Sequence, residues 1–331
     1  MYTVGGLYPR LIDADHLDRA ATLTCRGKRR RADVALFLLR REEVLEDLQA
    51  RLTEGRWTPA PLERIRIREP KPRVIIRAPI ADRIVHTALV LLMEPVLTRS
   101  LRPESYACRP GFGTHRAVLA LLGAMRRHRY VLHLDIRSYF PSIDLGVLRG
   151  LIHRRIRDGA FLEVVDRVLA AGAGAYDDPG VRQLARIAAT WPPPGRGLPI
   201  GWYTSQLFAA HVYLDAMDHT IKRELSVPDY VRYVDDFFLF GDNRRELRRW
   251  RTDLAGWLQE CRHLHLKHPD ASILACTGSL DALGHRVTRQ GIEPHPAALR
   301  RLRDRVARLA ASRRRGSLGG LPSVLAHLTF G

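Results

Sequence analysis

Apolar positions recur at helical spacing through much of the chain. Val34, Phe37, Leu38, Leu45, Leu48 and Leu52 predict an amphipathic helix over 32–53, stopped by Gly55. The alternation Arg64-Ile65-Arg66-Ile67-Arg68 predicts a strand, Pro70-Lys71-Pro72 a turn, and Val74-Ile75-Ile76 a second strand. Helices follow over 82–97 and 115–128, on either side of a Pro/Gly-bearing loop at 103–114. Tyr130 to Ile136 reads as a strand with Leu132, Leu134 and Ile136 on one face and His133 and Asp135 on the other. Helices over 145–157 and 161–171, a Gly- and Pro-rich loop over 172–199 and a long helix over 203–224 come next. Two apolar strands, 229–234 and 237–240, then meet at Asp235-Asp236. A helix over 244–260, short strands within 263–287 and a basic amphipathic helix over 296–313 complete the pattern. Strands and helices in non-alternating order predict an α+β protein with an antiparallel sheet.

Charge changes the picture more than size does. The 331 residues carry a formal net charge of +19, and of the 54 basic residues only four are lysine (Lys28, Lys71, Lys222, Lys267), leaving 50 arginines. A field this positive favours a polyanionic partner, and the planar arginine fork suits phosphate. No uncharged run approaches the length of a membrane span and Met1 to Arg10 lacks a signal-peptide pattern, so a cytoplasmic protein is expected. The four cysteines form no close pair, which leaves a disulfide framework or zinc site without support.

The chemistry centres on Tyr233-Val234-Asp235-Asp236, two adjacent acids between apolar strands. Like charges side by side are unfavourable, and a divalent cation would relieve them. A third acid, Asp135, ends the strand Leu132-His133-Leu134-Asp135. Carboxylates from two strands of one sheet can clamp a pair of Mg²⁺ ions ~4 Å apart, the arrangement used for phosphoryl displacement. Asp177-Asp178 has no flanking strands and reads as a polar loop pair, and Asp144 reads as a helix cap. His263, His265 and His268 alternate but lack an acid or cysteine to complete a zinc site.

These motifs together resemble the palm of reverse transcriptases. The ordered set comprises Glu69-Pro70-Lys71-Pro72-Arg73, Asp82-Arg83-Ile84-Val85-His86, Ser105 to Gly111, Leu134-Asp135 with Phe140 five residues beyond the acid, Tyr233 to Asp236, and Leu283-Gly284-His285-Arg286-Val287. The resemblance implies a right-hand polymerase with fingers and palm over 60–290, an antiparallel palm sheet, an N-terminal helical extension over 1–59 and a short basic thumb-like helix within 291–331. It makes Asp135, Asp235 and Asp236 the catalytic, metal-binding acids, with the carbonyl of Ile136 as a further ligand to two Mg²⁺ ions that Mn²⁺ can replace. Lys71 and Arg73 are implied to hold the incoming triphosphate, and Phe140 to exclude a 2′-hydroxyl. Ile200, Gly201 and Gln206 are implied to lie at the nascent base pair, while Tyr233, Gly284, His285, Arg300, Arg301 and Arg305 are implied to touch the RNA/DNA heteroduplex.

The segment Ile200-Gly201-Trp202-Tyr203-Thr204-Ser205-Gln206 is similar to reverse transcriptases of diversity-generating retroelements, which work with a small basic accessory protein. Two departures from that pattern stand out. The stretch after Gln206 is one residue longer, and where a pyrophosphate-protonating lysine is expected after Pro269 there are Asp270 and Ala271, leaving Lys267 or His268 as substitutes. The expected activity is extension of a primer 3′-hydroxyl on template RNA with dNTPs. A defence-associated or retron-like reverse transcriptase and a non-catalytic RNA-binding scaffold are the alternatives.

Overall fold

The structure, a computed structural model, describes residues 3–67 and 73–314. Lys71 therefore lies outside the described residues. The strands are β1 (Glu63–Ile67), β2 (Arg73–Arg77), β3 (Tyr130–Asp135), β4 (Asp229–Tyr233), β5 (Asp236–Gly241), β6 (Ile273–Ala275), β7 (Leu280–Ala282), β8 (His285–Val287) and β9 (Ile292–Pro294). They form a β1–β2 hairpin, a four-stranded sheet in the order β4-β5-β3-β6, and a small β7-β8-β9 sheet, and every strand pairing among them is antiparallel. The predicted α+β architecture with an antiparallel palm sheet is what forms.

Period-two alternation explains how the central sheet is sandwiched. Leu132, Leu134, Phe237 and Leu239 share one core with Leu247, Trp250, Leu254 and Leu258 of helix Arg244–Arg262. Val131, Val231, Phe238 and Phe240 point the other way, into a second core with Ala117, Val118, Leu121, Ala124 and Met125 of helix Thr114–Arg127. The larger core also takes in Leu7, Leu17, Phe37, Leu48 and Trp57, so the N-terminal helices pack into the palm's own interior. Helix Ile80–Leu97 joins the two, burying eleven residues between helix Ala14–Cys25 and the segment Tyr203–Leu207.

Local chemistry sets several helix starts. Asp13, Asp144, Asp158 and Asp178 each accept a bond from the backbone N–H three residues on, and Asn243 from that of Arg245. Asp144 thus behaves as the cap its position predicted, while Asp178, read as part of a polar loop pair, caps a helix as well. Three expectations need correction. The helix expected over 32–53 is two helices, Ala32–Leu39 and Arg41–Thr53, broken at Arg40 with φ −126° and ψ 32°. The loop expected over 172–199 contains a short helix, Pro179–Leu184, that Asp178 caps.

The long helix expected over 203–224 is the third. It is helix Tyr203–Leu207, then a π-turn over Phe208–Val212, then helix Asp215–Arg223. Apolar periodicity cannot distinguish four-residue from five-residue bonding in a single turn.

Candidate active site

The face that gathers the three acids arises from register. Asp135 ends β3 directly opposite Asp236, which opens β5. Opposed residues of an antiparallel pair share a face with Cβ atoms about 5 Å apart. Asp236 is also paired with Tyr233 of β4, so the connecting turn is only Val234 and Asp235. Val234 sits at φ +58°, unusual for a β-branched residue.

A further backbone pairing brings in a cation. Ile136 bridges Leu266, Arg137 N donates to His265 O at 2.9 Å, and Lys267 N donates to Asp135 O at 2.8 Å. This ladder lays Lys267 beside Asp135, and Lys267 Nζ reaches Asp135 Oδ2 at 2.5 Å. Of the two basic residues singled out in the segment after His265, Lys267 is the one bonded to Asp135. On the other side His133 Nε2 bonds Asp236 Oδ1 at 2.9 Å, its ring stacked on Phe238 with centroids 4.3 Å apart.

Burial, and then the charges of Asp135 and Asp236, push the Asp235 carboxyl up to about 7. Bonding to Asp135 holds the Lys267 ammonium above its ordinary range. As they stand, no three His, Cys, Asp or Glu side chains among the described residues are gathered as a ready metal cluster. Asp135 and Asp236 are instead engaged by Lys267 and His133. The donor set nonetheless suits Mg²⁺: three carboxylates with hard oxygens, close enough for the charge of two to raise the third.

The residues implied to meet the nucleotide are brought together by close backbone approach. Ile76 N of β2 donates to Ile200 O at 2.7 Å, and Ile200 N donates to Tyr176 Oη at 3.0 Å. Gly201 follows at φ +114°, where a Cβ would stand 2.7 Å from Ile76 O and from Ile75 Cγ2. Only glycine fits there. Phe140 lies half-buried against the larger core, its carbonyl accepting from Leu198 N at 2.8 Å. Arg73 is exposed at the start of β2, opposite Ile67. Gln206 is exposed and donates through Nε2 to Cys108 Sγ at 3.0 Å.

The residues implied to touch nucleic acid occupy two further places. Tyr233 packs against the second core and its hydroxyl accepts from Thr114 Oγ1 at 3.1 Å. Gly284, at φ +81°, and His285 form the turn into β8. Arg300, Arg301 and Arg305 lie on helix Pro296–Arg314. The decoys resolve into structural roles. Asp177 Oδ2 accepts Gly195 N at 2.9 Å, and Asp144 Oδ2 pairs with Arg196 and His263.

Sequence reasoning overlooked two groups. His133 gave no signal beyond its alternation with Asp135. Arg232 gave one: a lone charge within the apolar strand Tyr230-Val231-Arg232-Tyr233. It is wholly buried and bonded through Nε and Nη2 to the equally buried Asp218, at 2.7 and 2.6 Å.

Comparison with known proteins places this geometry. A family profile for reverse transcriptase (RNA-dependent DNA polymerase) matches residues 67–287, well over half of the chain. Protein YkfC of Escherichia coli K12 is 25% identical over 287 residues, covering 74% of this chain and 71% of that protein. The group II intron-encoded protein LtrA of Lactococcus lactis is 25% identical over 134 residues, 40% of this chain but only 22% of LtrA. Telomerase from Candida albicans, solved with a fragment of telomeric RNA, shares the fold at a TM-score of 0.51 and 14% identity, over 73% of this chain and 48% of that one. Among the described residues no helix is long and apolar enough to cross a membrane. With its profile match running from the end of β1 through β2, the three acids and the β7–β8 turn, the chain belongs to the reverse transcriptase (RNA-dependent DNA polymerase) family.

Proposed function

We propose that this protein extends a primer 3′-hydroxyl on an RNA template with dNTPs, and that Asp135, Asp235 and Asp236 hold two Mg²⁺ ions for which Mn²⁺ can substitute. The observation that carries this reading is the register placing Asp135 opposite Asp236 with Asp235 in the adjoining turn. The ion pair, when bound, supplies activation of the hydroxyl and stabilisation of the leaving oxygen. Ile136 offers its carbonyl as a further ligand. Arg73, with Lys71, holds the triphosphate through charge-assisted bonds, and Phe140 blocks a 2′-hydroxyl. Gly201 lets the backbone approach the β2 strand, and Ile200 and Gln206 flank the nascent pair. Tyr233, Gly284, His285, Arg300, Arg301 and Arg305 follow the heteroduplex, which a chain of net charge +19 favours.

Primer extension on a defined RNA tests this directly. Product is expected with dNTPs and Mg²⁺ or Mn²⁺ and not with NTPs, and Phe140→Ala is expected to raise NTP use at least about tenfold by removing the steric block. No extension with either cation would leave only an RNA-binding scaffold.

In this reading Lys267 is the proton donor to departing pyrophosphate. Lys267→Ala is expected to slow single-nucleotide incorporation by about 10²-fold with little change in KM for dNTP. An unchanged rate would remove Lys267 from the chemistry.

The Ile200-Gly201…Ser205-Gln206 pattern favours a diversity-generating retroelement enzyme, working in the cytoplasm with a small basic accessory protein. A second reading rests on the π-turn over Phe208–Val212, since a π-turn is how a helix absorbs one extra residue. That departure fits a defence-associated or retron-like reverse transcriptase. Sequencing cDNA from a defined template separates them: errors concentrated opposite adenines support the first, faithful or untemplated product the second.

A further inference from the structure

The π-turn does more than lengthen the helix. It lies between the segment carrying Gly201 and Gln206 and helix Asp215–Arg223, and two of its buried carbonyls accept side-chain bonds from residues close in sequence to Asp135 and to Asp235. Tyr139, next to Phe140 and four residues beyond Asp135, donates its hydroxyl to Ala209 O at 2.8 Å. Arg232, three residues before Asp235, donates through Nη1 to Ala210 O at 3.0 Å and to Val234 O at 3.1 Å. The remaining edge of the guanidinium is fixed by Asp218, and neither side chain of that pair is exposed. Arg232's backbone is fixed as well: its N–H donates to Glu104 O at 2.9 Å and its carbonyl accepts from Tyr106 N at 3.0 Å.

One guanidinium thus spans three elements and touches the residue whose left-handed backbone aims Asp235. Burial obliges the Nη1 edge to find acceptors too, and the carbonyls that meet it come from two different elements, the π-turn and the turn carrying Asp235. A buried ion pair is also a poor source of stability compared with apolar packing. We propose that the π-turn is the joint fixing both carboxylate segments against the nucleotide pocket, with Arg232 and Tyr139 as its positioning residues. Neither touches substrate. They act through the placement of Asp235 and of the strand end carrying Asp135.

This inference rests on the polymerase reading, so native protein is assayed in parallel: absence of extension there would sink that reading and not this one. The informative variant is the double replacement Asp218→Leu with Arg232→Met, which removes the pair without leaving a buried charge behind. It is expected to keep the native Tm within about 5 °C and native RNA affinity. Its kcat is expected to fall about 10²-fold at nearly constant KM for dNTP, and the Mg²⁺ concentration for half-maximal rate to rise severalfold. Native kcat in a folded double variant would overturn the proposal.

Tyr139→Phe supplies an independent test, since it deletes one hydroxyl and leaves the ring packed. A fall in kcat of about threefold to tenfold is expected, with Tm lowered by only a few degrees. Should the double variant fail to fold, native kcat in Tyr139→Phe overturns the proposal by itself.

Discussion

Asp235→Asn is expected to lower primer extension by at least about 10³-fold while making the metal-free protein more stable at pH 8. The sign follows from burial. In the folded protein the Asp235 carboxyl is pushed up to about 7, from an ordinary 3.8, by desolvation and by Asp135 and Asp236. A carboxyl whose pKa rises on folding binds its proton more tightly in the native state. Its contribution to stability is therefore full below about pH 4 and is lost as pH rises through about 7. Asparagine never ionises and avoids that loss. The variant's advantage should be about 1 kcal/mol or less at pH 5 and grow to about 2 kcal/mol at pH 8, once partial exposure of the site is allowed for.

Mg²⁺ should reverse the order at pH 8, because only the native acids gain from binding the cation. Thermal denaturation at both pH values, with and without Mg²⁺, reads all of this in one series. A stability difference that does not change with pH would show that Asp235 carries no such penalty. Full activity in Asp235→Asn would remove it from the metal site.

Gly201→Ala should be nearly as damaging, for a steric reason. A methyl group there would stand 2.7 Å from Ile76 O and from Ile75 Cγ2, on a backbone at φ +114°. The strand cannot retreat without stretching the 2.7 Å bond from Ile76 N to Ile200 O. A loss of about 3 kcal/mol or more is expected, with a several-fold rise in KM for dNTP in whatever protein folds. Gly291→Ala is the control: a Cβ there meets nothing within 4 Å, so its effect should stay within about 0.5 kcal/mol. Equal melting temperatures for the two variants would show that the hairpin and the 200 loop are not locked together as described.

Period-two and helical patterns in the sequence determined most of the elements. Strands 130–135 and 236–241, helix 244–262 and the Asp caps form close to where local spacing puts them, because each depends on neighbours within a few residues. The three acids stand out in the sequence too, since two adjoin at a turn between strands and one ends a strand. Their convergence does not, because the pairing of Asp135 with Asp236 joins positions a hundred residues apart.

Only the tertiary structure decided which cation faces Asp135. Lys267 arrives there by a backbone ladder with residues 135–137, and no local pattern encodes that partner. The same holds for the break at Phe208–Val212 and for Arg232, charged yet fully enclosed. A helical turn is told from a π-turn, and a buried arginine from a surface one, by what supplies the opposing hydrogen bonds. Those partners, Tyr139, Asp218, Ala210 and Val234, meet only when the chain has folded.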